Sequence, residues 1–487
     1  MAQFIGRQAE ISGLNRLHKD TSRQAQFVIM YGRRRVGKTT LLLHWAQQTG
    51  QPFLYWVARR ETPDALRQSL ATALWNWAYP EGDYQPPMFQ NWEVLFREIA
   101  RLIGNKPLIL IWDEFSYAAE SDPSFPSHLQ AAWDHILKDL PIMLILSGSH
   151  IGMMVDMMNY QAPLYGRFTA QFPVDPLPYS AMASFFPGFS VPERVSTYAC
   201  LGGIPAYLER FDPGEDLSAN IRRHLFSRSG MFCSEPSFLV SELVRETRIY
   251  EAILRAVANG QHTPGEIGKH INLPVTTLPA YLKRMIELRL LERRIPATIP
   301  FAQRETTTRS RYRVNDPFLR FYYRFVEPNL EMIEQGQVDA LWQRVNSQFR
   351  AFVGMTTFEE LCQEWVTRQA RQHKLPFAPE LVGSHWSGDA QIDVVAINWQ
   401  EKSILLGECK WGLEAVGRGV VQELMAKARD VVPGKDWKVY YALFSRTGFT
   451  APAREGGEDA LFVDLAEIDA LLCRDTAIRF PKTDLAI

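Results

Sequence analysis

Two stretches carry residue types whose spacing suits binding and splitting a phosphoanhydride. The first is Gly32-Arg33-Arg34-Arg35-Val36-Gly37-Lys38-Thr39, a GxxxxGK(S/T) spacing. Its glycines let consecutive backbone N–H groups turn inward around phosphates, while the helix that follows offers its positive end. Lys38 is placed to bridge the β- and γ-phosphates and the Thr39 hydroxyl to ligate Mg2+. Arg33 and Thr40 complete the expected nucleotide contacts. The second stretch is Leu108-Ile109-Leu110-Ile111-Trp112-Asp113-Glu114. It is an apolar run ending in two acids, with Asp113 suited to the metal's water shell and Glu114 to polarising an attacking water. ATP and Mg2+ are the expected ligands.

A third set of chemistry-bearing residues stands near the other end of the chain. Asp393 heads one apolar run, and Glu408 and Lys410 close the next. Period two puts Glu408 and Lys410 on one face, so two carboxylates could hold Mg2+ while the lysine positions or activates water. Glu359, in Phe358-Glu359-Glu360, offers a third carboxylate. The pattern D-x(n)-E-x-K is loose, and strand-end charges on an inactive scaffold would look the same.

A basic tract lies between these sites. Lys283, Arg284, Arg293 and Arg294, then Arg309, Arg311 and Arg313, crowd a stretch with few acids. In a chain with 53 Lys plus Arg against 54 Asp plus Glu, this is a local candidate for phosphate contacts to DNA. The alternative is that these arginines are used inside the molecule.

The elements that must position these groups follow from periodicity. Phe27 to Tyr31 reads as a strand before the glycine loop, and Leu41 to Gln48 as the helix after it. Further strands are expected at Pro52 to Val57, Leu108 to Trp112 and Ile142 to Leu146, alternating with helices at Thr62 to Trp77 and Trp92 to Ile103. That alternation indicates a parallel sheet covered on both faces. From Pro178 to His224 the chain reads as short helices, suggesting a lid. Helices from Arg245 to Ala258, from about Thr263, and from Val275 to Leu290, followed by alternating Arg311 to Val314, suggest a winged helix-turn-helix. Helices near Trp342 to Phe352 and Phe358 to Gln369 precede strands at Ile392 to Ile397, Ser403 to Glu408 and Val439 to Phe444, with a helix at Val420 to Val431. The expected domains are 1–176, 177–235, 236–329 and 330–487.

Composition limits the classes. At 487 residues the chain exceeds one core, and roughly three domains is the prior from length. Hydrophobic residues at 46% and charged residues at 22% exclude a disordered chain. Five scattered cysteines form no CxxC pair, which argues against a zinc knuckle or a disulfide framework. No apolar run approaches the ~20 residues of a membrane span, and the N-terminus lacks a leader pattern. A cytoplasmic protein is expected.

Taken in order, Phe4-Ile5-Gly6-Arg7-Gln8-Ala9-Glu10, the glycine loop, Trp112-Asp113-Glu114-Phe115, Leu146-Ser147-Gly148-Ser149, Pro163-Leu164-Tyr165-Gly166-Arg167 and Gly202-Gly203-Ile204-Pro205-Ala206-Tyr207 resemble the archaeal ATPase family, a branch of the AAA+/STAND nucleotide switches. The resemblance runs from about Phe4 to Phe232. It implies that Ser147 or Ser149 senses the γ-phosphate, that Arg167 is an arginine finger or sensor, and that Gly203 and Pro205 lie in a lid near the base. His150 stands where the family usually has a small polar residue. Phe358-Glu359, Ile392-Asp393 and Gly407-Glu408-Cys409-Lys410-Trp411 resemble the PD-(D/E)xK restriction-endonuclease-like fold often appended to these ATPases, over about Gln348 to Phe462, without the proline of the name.

The fold expected is therefore α/β: a P-loop, AAA+-like parallel sheet with a helical lid, a winged helix-turn-helix and a C-terminal restriction-endonuclease-like α/β domain. The function expected is an ATP-hydrolysing, DNA-acting protein whose nucleotide state controls a Mg2+-dependent nuclease in repair or defence. A homo-oligomer is expected as well, because an arginine finger acts across subunits. The alternative is a STAND-like switch or DNA-binding regulator whose nuclease-like domain is inactive.

Overall fold

The apolar runs of the first third become the interior strands of a parallel sheet in the structure, a computed structural model. It describes residues 4–81, 85–244, 246–274, 276–388, 390–457 and 459–474. Arg245 and Val275, where two helices are expected to begin, lie outside these residues, as do 1–3 of the N-terminus and 475–487 of the last expected domain. The chain divides into two compact units, Met1–Leu177 with Ile204–Ala206, and Pro178–Gly203 with Tyr207–Ile487.

In the first unit, β1 (Gln26–Tyr31), β2 (Phe53–Val57), β3 (Leu108–Asp113), β4 (Ile142–Gly148) and β5 (Ala170–Pro173) pair in the order β2-β3-β4-β1-β5, all parallel. β3 and β4 are buried throughout, as parallel strands covered on both faces must be. The helices Pro63–Ala78, Trp92–Ile103 and Phe125–His135 supply one covering face. Phe125 sits at its centre, with its ring 4.1 Å from that of Trp92 and 6.0 Å from that of Trp112. Each such fully buried side chain stabilises the fold by about 1.5–3 kcal/mol. Thr62 and Asn91 cap two of these helices by accepting from the backbone N–H groups of Ala65 and Val94.

The second unit begins with short helices, among them Val191–Leu201, whose Ser190 and Glu193 form a capping box. This segment, expected as a lid on the sheet, is counted with the second unit. Tyr179 Oη donates to Asp469 Oδ1 at 2.7 Å and Arg194 pairs with Asp469 at 2.6 Å, tying it to the helix Leu465–Cys473. Three helices follow, Thr247–Ala258, Pro264–Ile271 and Leu278–Glu287, and then an antiparallel pair, β6 (Leu291–Arg294) and β7 (Arg311–Val314). Thr263 and Glu266 form the capping box that starts the second of these helices.

The last sheet is mixed, in the order β12-β11-β10-β9-β8. β8 (Leu381–Trp386), β9 (Gln391–Asn398) and β10 (Ser403–Lys410) are antiparallel neighbours, whereas β10, β11 (Lys438–Ser445) and β12 (Ala460–Asp464) run parallel. The helix Arg418–Val431 makes the crossover that a parallel β10–β11 pair requires, burying Val421, Leu424 and Ala428. The long helix Val338–Val353 leads through a π-turn, Gly354–Phe358, into Glu359–Arg371, which carries Glu359 to the edge of β9.

Candidate functional site

In the first unit, the glycine loop leaves β1 and closes on the helix Lys38–Thr49. Gly37 takes a left-handed backbone, φ 94°, which a side chain would strain. A Cβ at Gly32 would come within 2.3 Å of the Val174 carbonyl oxygen, so only glycine fits there. Lys38 is buried, and its Nζ donates to the carbonyls of Gly32 at 2.9 Å and Arg33 at 3.3 Å and to Ser149 Oγ at 3.0 Å. Thr39 Oγ1 donates to Asp113 Oδ2 at 2.6 Å, and Ser149 Oγ donates to Glu114 Oε1 at 2.8 Å. Sheet order explains this convergence: β4 lies between β1 and β3, so the loops leaving all three meet at one edge.

Glu114 itself has φ 50°, an unusual conformation for a non-glycine residue that fixes where its carboxylate points. The Ser147 hydroxyl is buried on β4 without a hydrogen-bond partner among the described residues. Pro205 lies 3.8 Å from where a Gly37 Cβ would stand, beside the loop, while Gly203 falls in the other unit. Thr40 is exposed on the new helix and Arg33 half-buried.

Two contributors to this site have no counterpart among the expected site residues. Arg7 is buried; it donates to Val36 O at 2.8 Å and Asp175 O at 2.6 Å and pairs with Glu10 at 3.0 Å. It thus braces the glycine loop from behind. Its place in the Phe4-Ile5-Gly6-Arg7 motif was the available signal. Tyr55 Oη donates to Asp113 Oδ2 at 3.1 Å, and burial together with the Asp113 carboxylate raises its pKa. Tyr55 sits on β2, and nothing in the sequence marks it.

Arg167 is not aimed at the loop. Its guanidinium pairs with Asp134 at 2.8 Å and donates to the Tyr165 carbonyl, also at 2.8 Å.

The residues present fit a Mg2+–nucleotide ligand. A lysine and turned backbone amides face the phosphate position, and a hydroxyl and a carboxylate stand together at 2.6 Å where an ion would need them.

In the second unit, Asp393 on β9 and Glu408 on β10 lie one position beyond the ladder pair Gly407–Val394, on one face. Asp393 Oδ2 accepts from Cys409 N at 2.9 Å, and the Asp393 carbonyl accepts from Gln363 Nε2 at 2.8 Å. Burial raises the pKa of Asp393, helped by the Glu408 charge, and burial raises that of Glu359, helped by Asp393. Glu359 rather than Glu360 therefore stands beside the strand acids.

Glu408, however, is held from both oxygens, by Lys410 at 2.7 Å and by Lys427 at 3.0 Å. Lys427 comes from the crossover helix and carries no sequence signal, because its approach depends on how that helix packs on the sheet. Among the described residues, no group of three or more His, Cys, Asp or Glu side chains is gathered closely enough to hold a metal ion. Of the expected ligands Glu359, Asp393 and Glu408, the third faces lysines.

Much of the basic tract is used inside the molecule. Arg294 and Arg313 do not present an open cationic surface. They converge with Arg320 on the carboxylate of Glu360, at 2.6, 2.5 and 3.2 Å. Arg293 donates to the Thr307 carbonyl, Arg284 pairs with Glu287, and the Arg311 guanidinium lies 5.0 Å over the Trp386 ring. Lys283 and Arg309 remain exposed. Desolvating an arginine is costly without a partner, so the carboxylate of the neighbouring helix draws these side chains inward.

A parallel five-stranded sheet with a glycine loop after β1 and paired acids closing β3 defines a P-loop ATPase. Residues 4–211 match the family described as an ATPase domain predominantly from Archaea, and residues 322–419 match one described as archaeal and bacterial proteins of unknown function. Over 464 residues the chain is 31% identical to the uncharacterized protein MJECL04 of Methanocaldococcus jannaschii, covering 94% of this chain and 98% of that protein. The chain belongs to the same family as that protein, and its residues 4–211 carry the archaeal-type ATPase domain. Among solved structures it is similar to the Walker-type ATPase PABY2304 of Pyrococcus abyssi, at 18% identity and a TM-score of 0.49 over 66% of this chain and 96% of that one. It is also similar to the ORC2 protein of Aeropyrum pernix, at 14% identity and a TM-score of 0.41 over 71% and 96%. Among the described residues no helix is long and apolar enough to cross a membrane.

Proposed function

We propose that this chain is an ATP-hydrolysing, DNA-acting protein in which nucleotide state governs a Mg2+-dependent nuclease module. In this reading residues 1–176 form the ATPase domain, 177–235 a helical lid, 236–329 a winged helix-turn-helix and 330–487 a PD-(D/E)xK nuclease-like domain. The observation that carries the ATPase half is the meeting of Lys38, Thr39, Asp113, Glu114 and Ser149 at one sheet edge.

Lys38 and the loop amides would hold the phosphates, and Thr39 with Asp113 would hold the ion. Glu114 would orient and polarise the water, with Ser149 linking it to Lys38 and so to the phosphate position. Mg2+ supplies charge neutralisation when bound. Arg167 would serve as a finger only in an oligomer that frees it from Asp134, and Gly203 only in a closed lid.

What supports the nuclease half is the placing of Asp393 and Glu408 on one face with Lys410 beside them, and Glu359 nearby, its pKa raised by burial and then by the Asp393 charge. A three-helix unit followed by an antiparallel hairpin supports the winged-helix reading, with Lys283 and Arg309 left for DNA phosphates. One observation favours a second reading, a regulatory switch whose nuclease-like domain is inactive: Glu408 is neutralised by two lysines. Supercoiled plasmid incubated with Mg2+ or Mn2+, with and without ATP, separates the two. Nicking or linearisation that depends on the metal is expected from the first, and intact plasmid under every condition from the second.

A further inference from the structure

A cleft of about 930 Å3 opens wholly within the second unit, and Glu359 and Asp393 both line it. Its walls come from the end of the helix Thr247–Ala258, from β7, from the helix Val338–Val353 and from β8 and β9. We infer that this cleft binds a single strand of nucleic acid and delivers it to the acids, so that the substrate class is a separated strand rather than intact duplex. Catalysis in this inference rests on the nuclease reading; binding rests on the cleft alone.

Shape is the first argument. The volume is at the upper end of the roughly 300–1,000 Å3 of small-ligand sites, enough for a few nucleotides. A duplex carries its two backbones on a convex surface, and a phosphate of it cannot enter a concavity walled on several sides until the strands part. Glu359 and Asp393 both face that concavity.

The arginine donors are the second. Arg294, Arg311, Arg313, Arg320 and Arg324 all line the cleft. Three of them share Glu360, with Glu292 as a further partner of Arg294. Arg311 lies over the Trp386 indole, and Arg324 donates to the amide oxygens of Asn259 at 3.3 Å and Gln348 at 3.2 Å. Against these five guanidiniums stand the carboxylates Glu266, Glu359 and Asp393 of the lining and the partners Glu360 and Glu292, so the arginines offer directed donors to a phosphate rather than a net positive field. Arg320 is 5% exposed, and its Nε lacks a hydrogen-bond partner among the described residues, a buried donor at the cleft wall.

Register is the third. Trp386 pairs with Gln391 across β8 and β9, and Asp393 is two residues further along the same face. Trp386 is thus about 7 Å along the strand from the acid, close to one step of an extended nucleic acid strand. An aromatic ring beside a guanidinium, one nucleotide from a carboxylate, is the arrangement that holds a base while its phosphate is presented.

The test is fluorescence anisotropy on the full chain in EDTA, with a short oligo(dT), an oligo(U) of equal length and a blunt hairpin duplex. Oligo(dT) is expected to bind at least about tenfold more tightly than the hairpin, and equal affinity for oligo(U) sustains a single-strand site. Trp386→Ala should weaken oligo(dT) by about fivefold or more, and Trp386→Phe should restore most of it, because stacking is kept. Arg324→Gln, a change at the cleft wall away from the sheet, should weaken it as well while ATP hydrolysis is retained. Hairpin bound as tightly as oligo(dT), or unchanged affinity in both Trp386→Ala and Arg324→Gln, overturns the inference. Adding Mn2+ then separates the readings: selective binding without any cleavage leaves the cleft and removes the nuclease, whereas cleavage of intact duplex without strand selectivity leaves the nuclease and removes the cleft.

Discussion

Both candidate sites set lysine and carboxylates at the edge of a sheet, but they balance charge in different ways. In the ATPase unit Lys38 donates to loop carbonyls and to Ser149, and Asp113 accepts from the hydroxyls of Thr39 and Tyr55. Asp113 is oriented by neutral hydroxyls and can meet a cation directly, and Lys38 has the loop carbonyls and Ser149 among its partners. In the C-terminal unit Glu408 is already paired with Lys410 and Lys427, while Asp393 and Glu359 oppose one another. That site must exchange a lysine for a cation before it can work. The carboxylate of the first site is prepared for a cation, and that of the second is closed upon itself.

The largest expected effect breaks the comparison at the closed site. Asp393→Ala, Glu408→Ala and Lys410→Ala should each abolish Mn2+-dependent cleavage, while ATP hydrolysis without DNA stays within about twofold of wild type, since the two chemistries use separate metal ions. Lys410→Ala should differ in retaining Mn2+ binding by titration. Cleavage surviving in Glu408→Ala would remove that residue from the metal site.

At the prepared site, Lys38→Ala should lose nucleotide binding, read with a fluorescent ATP analogue. Glu114→Gln should keep binding and slow phosphate release by roughly 10²- to 10⁴-fold, because only water polarisation is lost. Equal nucleotide affinity in Lys38→Ala and wild type would leave the loop without its assigned role.

How much of this was legible in the sequence follows from where each residue stands. β1, β3 and β4 are buried on both faces, so each reads as an unbroken apolar run. β5 and β8 carry no such run, and both lie at sheet edges, where a strand is covered less completely; β12, at the other edge of its sheet, holds only the short run Ala460 to Val463. The glycine loop and the β3 acids were legible because their chemistry needs fixed spacing within one stretch. Arg7, Tyr55 and Lys427 reach their sites from elsewhere in the chain. The arginines of the middle segment show the same limit, since a count of cations cannot say that Glu360 lies opposite them.

A smaller effect sharpens the contrast through pH. Glu359 and Asp393 hold protons that the unfolded chain has already released, since their folded values are raised above the ordinary carboxylate range. Stability from these groups is therefore greatest below the unfolded value of about 4, and falls as pH rises toward the folded values. Between pH 5 and pH 8 the Tm of the second unit should fall by a few degrees, on the order of 1 kcal/mol. Mn2+ should offset the fall more at the upper end, because metal competes with the proton, and Glu359→Gln should flatten it. A Tm that rises over this range, in wild type and Glu359→Gln alike, would take the carboxyl pair out of the argument.

The smallest effect concerns which cations of the middle segment face outward. Lys283 and Arg309 are exposed, whereas Arg313 is 14% exposed and bonded to Glu360 and the Thr356 carbonyl. Replacing Lys283 and Arg309 together with Gln should weaken duplex binding similarly across sequences and lower the slope of log K against log salt by about 2, one counterion for each lost phosphate contact. Arg313→Gln should leave that duplex slope unchanged and lower the Tm instead, because Glu360 and Thr356 lose a charged donor at a partly buried junction. The two variants should therefore separate in opposite measurements. If Arg313→Gln flattens the salt dependence as much as the exposed pair, Glu360 releases its arginines when DNA binds, and the inward-facing cluster is a reserve for the duplex rather than part of the fold.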